Sequence, residues 1–188
     1  MIVGIDPGHG GVNRGCWVRE FGDEADYVLK LGRRLREVIP GSVLLRQYDQ
    51  TMDLYQRNEI ATSNECDIVV SLHANAVEGD VLHGLSCFSF PGNERTLALG
   101  KRINILCPPE LVAKPRDGVL RAKPMVIADK TPWKARARSV LRHFGCDVLL
   151  IEVGFGAVDF AAMLDLGVQY RLCLAINKAI GEIYGQQD

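Results

Sequence analysis

Apolar and polar positions follow two rhythms along this chain. Three compact apolar runs, Ile2-Val3-Gly4-Ile5, Ile68-Val69-Val70-Ser71-Leu72 and Val148-Leu149-Leu150-Ile151, are bounded by turn-forming or charged residues. Runs of this length, rich in Val and Ile, predict buried strands of a parallel sheet. Between them the period lengthens. Glu24 to Val38 places Val28, Leu31, Leu35 and Val38 on one helical face, and Pro40-Gly41 ends that helix. Ser42 to Gln47 predicts a further strand, Asp53 to Asn64 a helix, Gly84 to Phe90 a strand closed by Pro91-Gly92, and Thr96 to Leu106 a helix. From Cys107 to Pro132 five prolines break any long helix, leaving loop with one strand near Val119 to Ile127. Trp133 to Phe144 reads as a basic helix and Ala157 to Leu166 as short helical turns. A last helix carries Tyr170, Cys173, Ile176, Ile180 and Ile183 at core spacing. Strands alternating with helices predict an α/β fold of right-handed βαβ units around a largely parallel sheet.

Composition changes this picture only at the margins. A length of 188 residues with 47% hydrophobic and 24% charged residues fits one ordinary domain, residues 1–188. No apolar stretch approaches the ~18 residues of a membrane helix, so no membrane partner is expected. The N-terminus runs straight into a strand without a signal-like segment, and synthesis in the cytoplasm is the expectation. Six cysteines (Cys16, Cys66, Cys87, Cys107, Cys146, Cys173) show no CxxC spacing and are expected as free thiols, Cys16 lying closest in sequence to His9. Net charge is −1, yet Lys114 to Arg142 holds nine Lys or Arg against Asp117 and Asp129. Such a segment can attract phosphates or carboxylates, although a solvated helix face and loop is the plainer reading. It lacks interleaved aromatics, so nucleic acid is not an expected partner.

The three central strands each end on a residue that can bind a metal or move a proton. Ile5-Asp6 runs into Pro7-Gly8-His9-Gly10-Gly11, Ser71-Leu72 into His73-Ala74-Asn75, and Leu150-Ile151 into Glu152-Val153-Gly154-Phe155. In open α/β sheets the carboxyl ends of the strands line one crevice where ligands bind. If these strands are parallel neighbours, His9, His73 and Glu152 converge there. Two histidines leave a catalytic zinc site one protein ligand short, and two His plus one Glu is a known set. Glu24, at the start of the first helix, can supply the third, with Asp23 and Asp26 as rivals that spacing alone does not separate; a first-turn carboxylate also suits the helix dipole. Partial burial at a strand end would raise the pKa of Glu152 and suit it to proton transfer. His83 reads as a turn residue and His143 as a helix-end cation. A P-loop lysine, Rossmann glycine spacing and a Gly-x-Ser-x-Gly elbow are all missing, which points away from phosphate cradles and serine hydrolases.

On these residues the chain resembles the zinc-dependent N-acetylmuramoyl-L-alanine amidases that cut bacterial cell wall. The resemblance runs in order through Ile5-Asp6-Pro7-Gly8-His9-Gly10-Gly11, Glu24-Ala25-Asp26, Leu44-Leu45-Arg46 with Asp49, Leu54 with Arg57, Ser71-Leu72-His73-Ala74-Asn75 and Ile151-Glu152-Val153-Gly154-Phe155. It departs at Asn13, where the family often has Asp, at Cys16, where Ala is common, and at Gly156-Ala157, where Ser-Asn is usual.

The resemblance implies that His9, Glu24 and His73 hold one Zn2+ and that Glu152 is the catalytic carboxylate. It also implies a twisted sheet of about six strands flanked by helices on both faces. The activity it implies is hydrolysis of the amide between the muramoyl lactyl group and L-alanine, with peptidoglycan as partner. A zinc peptidase or deacetylase, or a non-catalytic wall-binding module, are the alternatives. Substrate-binding residues are unassigned, apart from the basic Lys114 to Arg121 stretch as a candidate for stem-peptide carboxylates. Lacking a leader, the chain resembles the catalytic part of a phage endolysin. Gly185-Gln186-Gln187-Asp188 reads either as a natural terminus or as the start of a linker to a C-terminal wall-binding domain, and the second is the expectation.

Overall fold

The computed structural model of the chain describes residues 1–75, 83–112 and 139–185. Five strands form the main sheet: β1 (Val3–Pro7), β4 (Val43–Leu44), β5 (Ile68–Asn75), β6 (Ser86–Ser89) and β7 (Asp147–Phe155). Their order is β4-β1-β5-β7-β6, with β6 antiparallel to β7 and the other pairs parallel. Two short strands, β2 (Trp17–Val18) and β3 (Gly22–Asp23), make a separate hairpin. The helices are α1 (Glu24–Val38), α2 (Leu54–Ser63), α3 (Glu94–Leu106), α4 (Phe160–Leu164) and α5 (Leu166–Tyr184). Residues 139–143 are also helical.

Alternation along the strands divides the core into two halves. In β7, Leu149, Ile151 and Val153 join Val28 and Leu31 of α1, Leu99 and Ile103 of α3 and Leu172 and Ile176 of α5. Val148 and Leu150 face the other way, onto Ala61 of α2 and onto Leu141 and Phe144. The sheet is therefore covered on both faces, as the uninterrupted apolar runs require. Leu149 and Ile151 are fully buried. Truncating either to Ala leaves a cavity costing roughly 2–5 kcal/mol.

The expected α/β architecture is present, and the predicted range of α1 is reproduced residue for residue. Helix α2 starts where Asp53 and Gln56 form a reciprocal capping box. The strand expected over 84–90 is shorter, Ser86–Ser89, and lies at the sheet edge. Tyr170, expected in the core, is 55% exposed. Gln169 takes the buried place four residues before Cys173, because its amide reaches the Met163 carbonyl and Arg34. All six cysteines are free thiols. The sixth strand expected near Val119 to Ile127, and most of the basic segment, lie outside the described residues.

Candidate functional site

Cross-strand register builds the site in two rows. Asp6, Ser71, Leu150 and Phe88 are partners across β1, β5, β7 and β6. Two residues nearer the carboxyl ends of the parallel strands, on the same face, His73, Glu152 and Ser86 form the next row. Gly8 continues β1 beside them, its N–H bonded to the Leu72 carbonyl at 2.9 Å. A Cβ on Gly8 would lie 2.2 Å from Cε1 of His73, so only glycine leaves room for that ring.

His9 sits one residue further, with φ of 58°. A non-glycine residue in the left-handed region must be held there. Two arginines hold it. Arg57, from α2, pairs with Asp6 and donates to the carbonyls of Pro7 and His9. Arg46 donates to the carbonyls of Pro7 and Gly8 at 3.0 Å and of Ala25 at 2.7 Å. Ser71 donates to the second oxygen of Asp6 at 2.8 Å. Both arginines are buried. Burial and the neighbouring Arg57 charge pull Arg46 down to about 10, which leaves it cationic at neutral pH.

Glu24 reaches the rim because the loop before it caps α1 with backbone. The Glu24 N–H donates to the Cys16 carbonyl and the Ala25 N–H to the Arg14 carbonyl. These carbonyls satisfy two of the orphan donors of a helix start, and Asp23 makes no side-chain cap. The Glu24 carboxylate accepts from Ala74 N on Oε1 at 2.9 Å and from Cys16 N on Oε2 at 2.8 Å. Gly15, at φ +72°, passes so close that a Cβ would lie 2.3 Å from Oε2. Asp23 and Asp26, the rivals of Glu24, both pair with Arg14 instead.

His9, Glu24 and His73 thus meet. Nε2 of His9 lies 3.0 Å from Oε1 of Glu24, Nδ1 of His73 lies 3.1 Å from the same oxygen, and the two nitrogens are 3.2 Å apart. The donors of a tetrahedral zinc shell, with bonds of ~2.0–2.1 Å, are about 3.3–3.4 Å from one another. The observed triangle is that size within a few tenths of an ångström. Two imidazoles and a carboxylate also suit zinc chemically. The three residues therefore fit a cation.

Charge in the site is strongly coupled. Burial alone would raise the Glu24 carboxyl, but hydrogen bonds and charge from His73 and His9 hold it well below the usual carboxylate range. His73 is desolvated, which disfavours its cation, yet Glu24 and Glu152 raise it above an ordinary imidazole. Glu152 is pushed up to about 7, chiefly by burial, against the pull of His73. Its Oε2 is buried and has no hydrogen-bond partner among the described residues. Burial and the Glu24 charge push the Cys16 thiol far up. It donates to the Ala74 carbonyl at 3.3 Å and lies outside the cluster of His9, Glu24 and His73.

His83 stands 3.4 Å from Asp159, whose Oδ2 accepts from Gly84 N and Phe155 N. His143 ends the helical stretch 139–143. Neither joins the triad. Sequence reasoning placed Arg46 and Arg57 in a family pattern without a task. The available signal was a charge directly after Leu44-Leu45, where an exposed side chain is not expected.

The family model for N-acetylmuramoyl-L-alanine amidase matches residues 3–181. Among curated relatives, the N-acetylmuramoyl-L-alanine amidase AmiA of Escherichia coli (strain K12) is 29% identical over 107 residues, covering 55% of this chain and 37% of that protein. AmiC of Escherichia coli O6:H1 is 30% identical over 106 residues, 54% of this chain and 25% of its own length. The chain therefore matches only about a quarter to two fifths of these relatives. Among solved structures, the amidase AmiC2 of Nostoc punctiforme superposes with a TM-score of 0.76 at 25% identity, covering 100% of this chain and 98% of that one. An N-acetylmuramoyl-L-alanine amidase from Clostridium difficile 630 shares the fold at a TM-score of 0.79 and 21% identity, with 100% and 98% coverage.

Proposed function

This chain belongs to the N-acetylmuramoyl-L-alanine amidase family, and from that premise we propose that it hydrolyses the amide joining N-acetylmuramic acid to the L-alanine of the peptidoglycan stem peptide. The observation that carries the reading is the triangle of donor atoms 3.0–3.2 Å apart at the sheet rim, with Glu152 in the adjacent register position.

In this reading His9 Nε2, Glu24 Oε1 and His73 Nδ1 hold one zinc ion. A zinc ion held by these three residues would supply Lewis acidity, lowering the pKa of a water toward ~7 and polarising the scissile carbonyl. The remaining work falls to side chains. Glu152 accepts a proton from the attacking water and delivers one to the departing L-alanine nitrogen. Its position beside His73 keeps it at the carboxyl ends of the strands, where substrate enters. Glu24 stays ionised throughout, because the backbone N–H groups of Cys16 and Ala74 stabilise its charge.

Digestion of purified peptidoglycan followed by mass analysis tests the activity. The expected products are intact stem peptides with free N-terminal alanine, lost on chelation and restored by zinc. Cleavage inside the stem peptide, or release of acetate, would replace this reading with a peptidase or a deacetylase. Glu152→Gln is expected to keep zinc and lose most turnover; normal turnover would remove Glu152 from proton transfer.

A further inference from the structure

We propose that Asn13 selects the tautomer of His9, and so decides which ring nitrogen offers a lone pair to the metal triad. The proposal rests on the metal-centre reading above. His9 Nδ1 lies 2.8 Å from Oδ1 of Asn13. The side-chain amide of an asparagine can be turned either way, presenting an acceptor or a donor. Here a second contact removes the ambiguity. The backbone N–H of Gly15 points at the same Asn13 atom from 3.3 Å. An N–H can only donate, so the shared atom is the carbonyl oxygen, and a flipped amide would set NH2 against N–H. With an acceptor facing it, Nδ1 of His9 carries the proton.

The consequence appears at the other nitrogen. With Nδ1 protonated, neutral His9 has its lone pair on Nε2, 3.0 Å from the ionised Glu24 oxygen. The competing tautomer would carry its proton on Nε2 and donate to that oxygen, closing the triad against a cation. Asn13 works against that arrangement, so the ring is prepared for a metal before one arrives. A ligating histidine whose second nitrogen is held in this way is oriented and made more basic. Asn13 is neutral, so it does this without adding negative charge to a site that already contains Glu24 and Glu152. It is a positioning residue. Its backbone pairing with Gly10, at 2.7 and 3.1 Å, does not depend on the side chain, whereas the Gly15 N–H contact does, so the nitrogen spectrum separates tautomer selection from support of the loop.

Two measurements test this on the full chain. In metal-free protein labelled with 15N-histidine, at mildly alkaline pH, His9 is expected to show a protonated Nδ1 and an unprotonated Nε2. A spectrum with the proton on Nε2 overturns the proposal without any variant. Zinc affinity is then measured by competition with a chromophoric chelator. Asn13→Ala is expected to bind roughly 10–100-fold more weakly. Asn13→Asp, which keeps an acceptor, is expected to hold zinc at least as tightly as the parent chain. Equal affinity of Asn13→Ala and the parent overturns the proposal. If the parent chain binds no zinc, the metal-centre reading fails, while the nitrogen spectrum still decides the role of Asn13.

Discussion

Replacing Glu152 by Gln should make the metal-free protein more stable above neutral pH. Burial raises this carboxyl from its ordinary 4.5 to about 7, because the ionised form loses water, and Oε2 has no hydrogen-bond partner among the described residues. The folded chain then holds a proton that the unfolded chain has released, across the window from about pH 4.5 to 7. Where the folded state binds more protons, stability falls as pH rises. The contribution is complete below the unfolded pKa and is lost as pH climbs through the folded one. At ~1.4 kcal/mol per tenfold change in proton affinity, the whole loss is about 3 kcal/mol. Urea unfolding of both chains at intervals from acid to mildly alkaline pH, with chelator present, reads this directly. The parent should lose stability relative to Glu152→Gln through that window, and the difference should level off above it. Parallel curves would refute the reasoning, since a carboxyl that titrates alike in both states carries no strain from burial.

Arg57→Met removes one partner of a buried ion pair and leaves Asp6, among the described residues, with the Ser71 hydroxyl as its side-chain donor. The expected loss is roughly 3–5 kcal/mol in urea unfolding, and a loss under about 1 kcal/mol, the scale of an exposed pair, would count against it. Gly8→Ala puts a Cβ 2.2 Å from the His73 ring, so zinc affinity should fall by roughly tenfold or more while circular dichroism stays unchanged; unchanged affinity would show that the ring has room to spare. Cys16→Ala should keep zinc and turnover, because the thiol is held protonated against the Ala74 carbonyl; loss of zinc in that variant would make the thiolate a ligand.

Much of the fold was legible because its strands are buried on both faces and carry unbroken apolar runs. Helix α1 was legible for a different reason, its spacing of Val28, Leu31 and Leu35. The β2–β3 hairpin was not, since two-residue strands have no period to detect. Three site positions followed from one argument: strand ends of parallel neighbours share an edge. Glu24 did not follow from spacing, because three acids crowd the start of α1. Arg14 separates them by drawing Asp23 and Asp26 to itself, a long-range pairing that no local pattern encodes. Tyr170 was misplaced because an apolar stripe read at three- and four-residue spacing ignores a glutamine that can satisfy its own amide inside. Arg46 and Arg57 lay in plain view, but their value depends on carbonyls that become neighbours only after the sheet forms.

Those two guanidinium groups grip main-chain oxygen atoms, which every amino acid possesses. The path of the segment Pro7 to His9 is thereby uncoupled from the identity of the side chain it displays. An engineer can exchange the imidazole at position 9 for a carboxylate or a thiol and expect the replacement to be presented from the same place. On the proposed metal-centre reading, metal preference in this scaffold is open to redesign one ligand at a time, without rebuilding the loop that carries it.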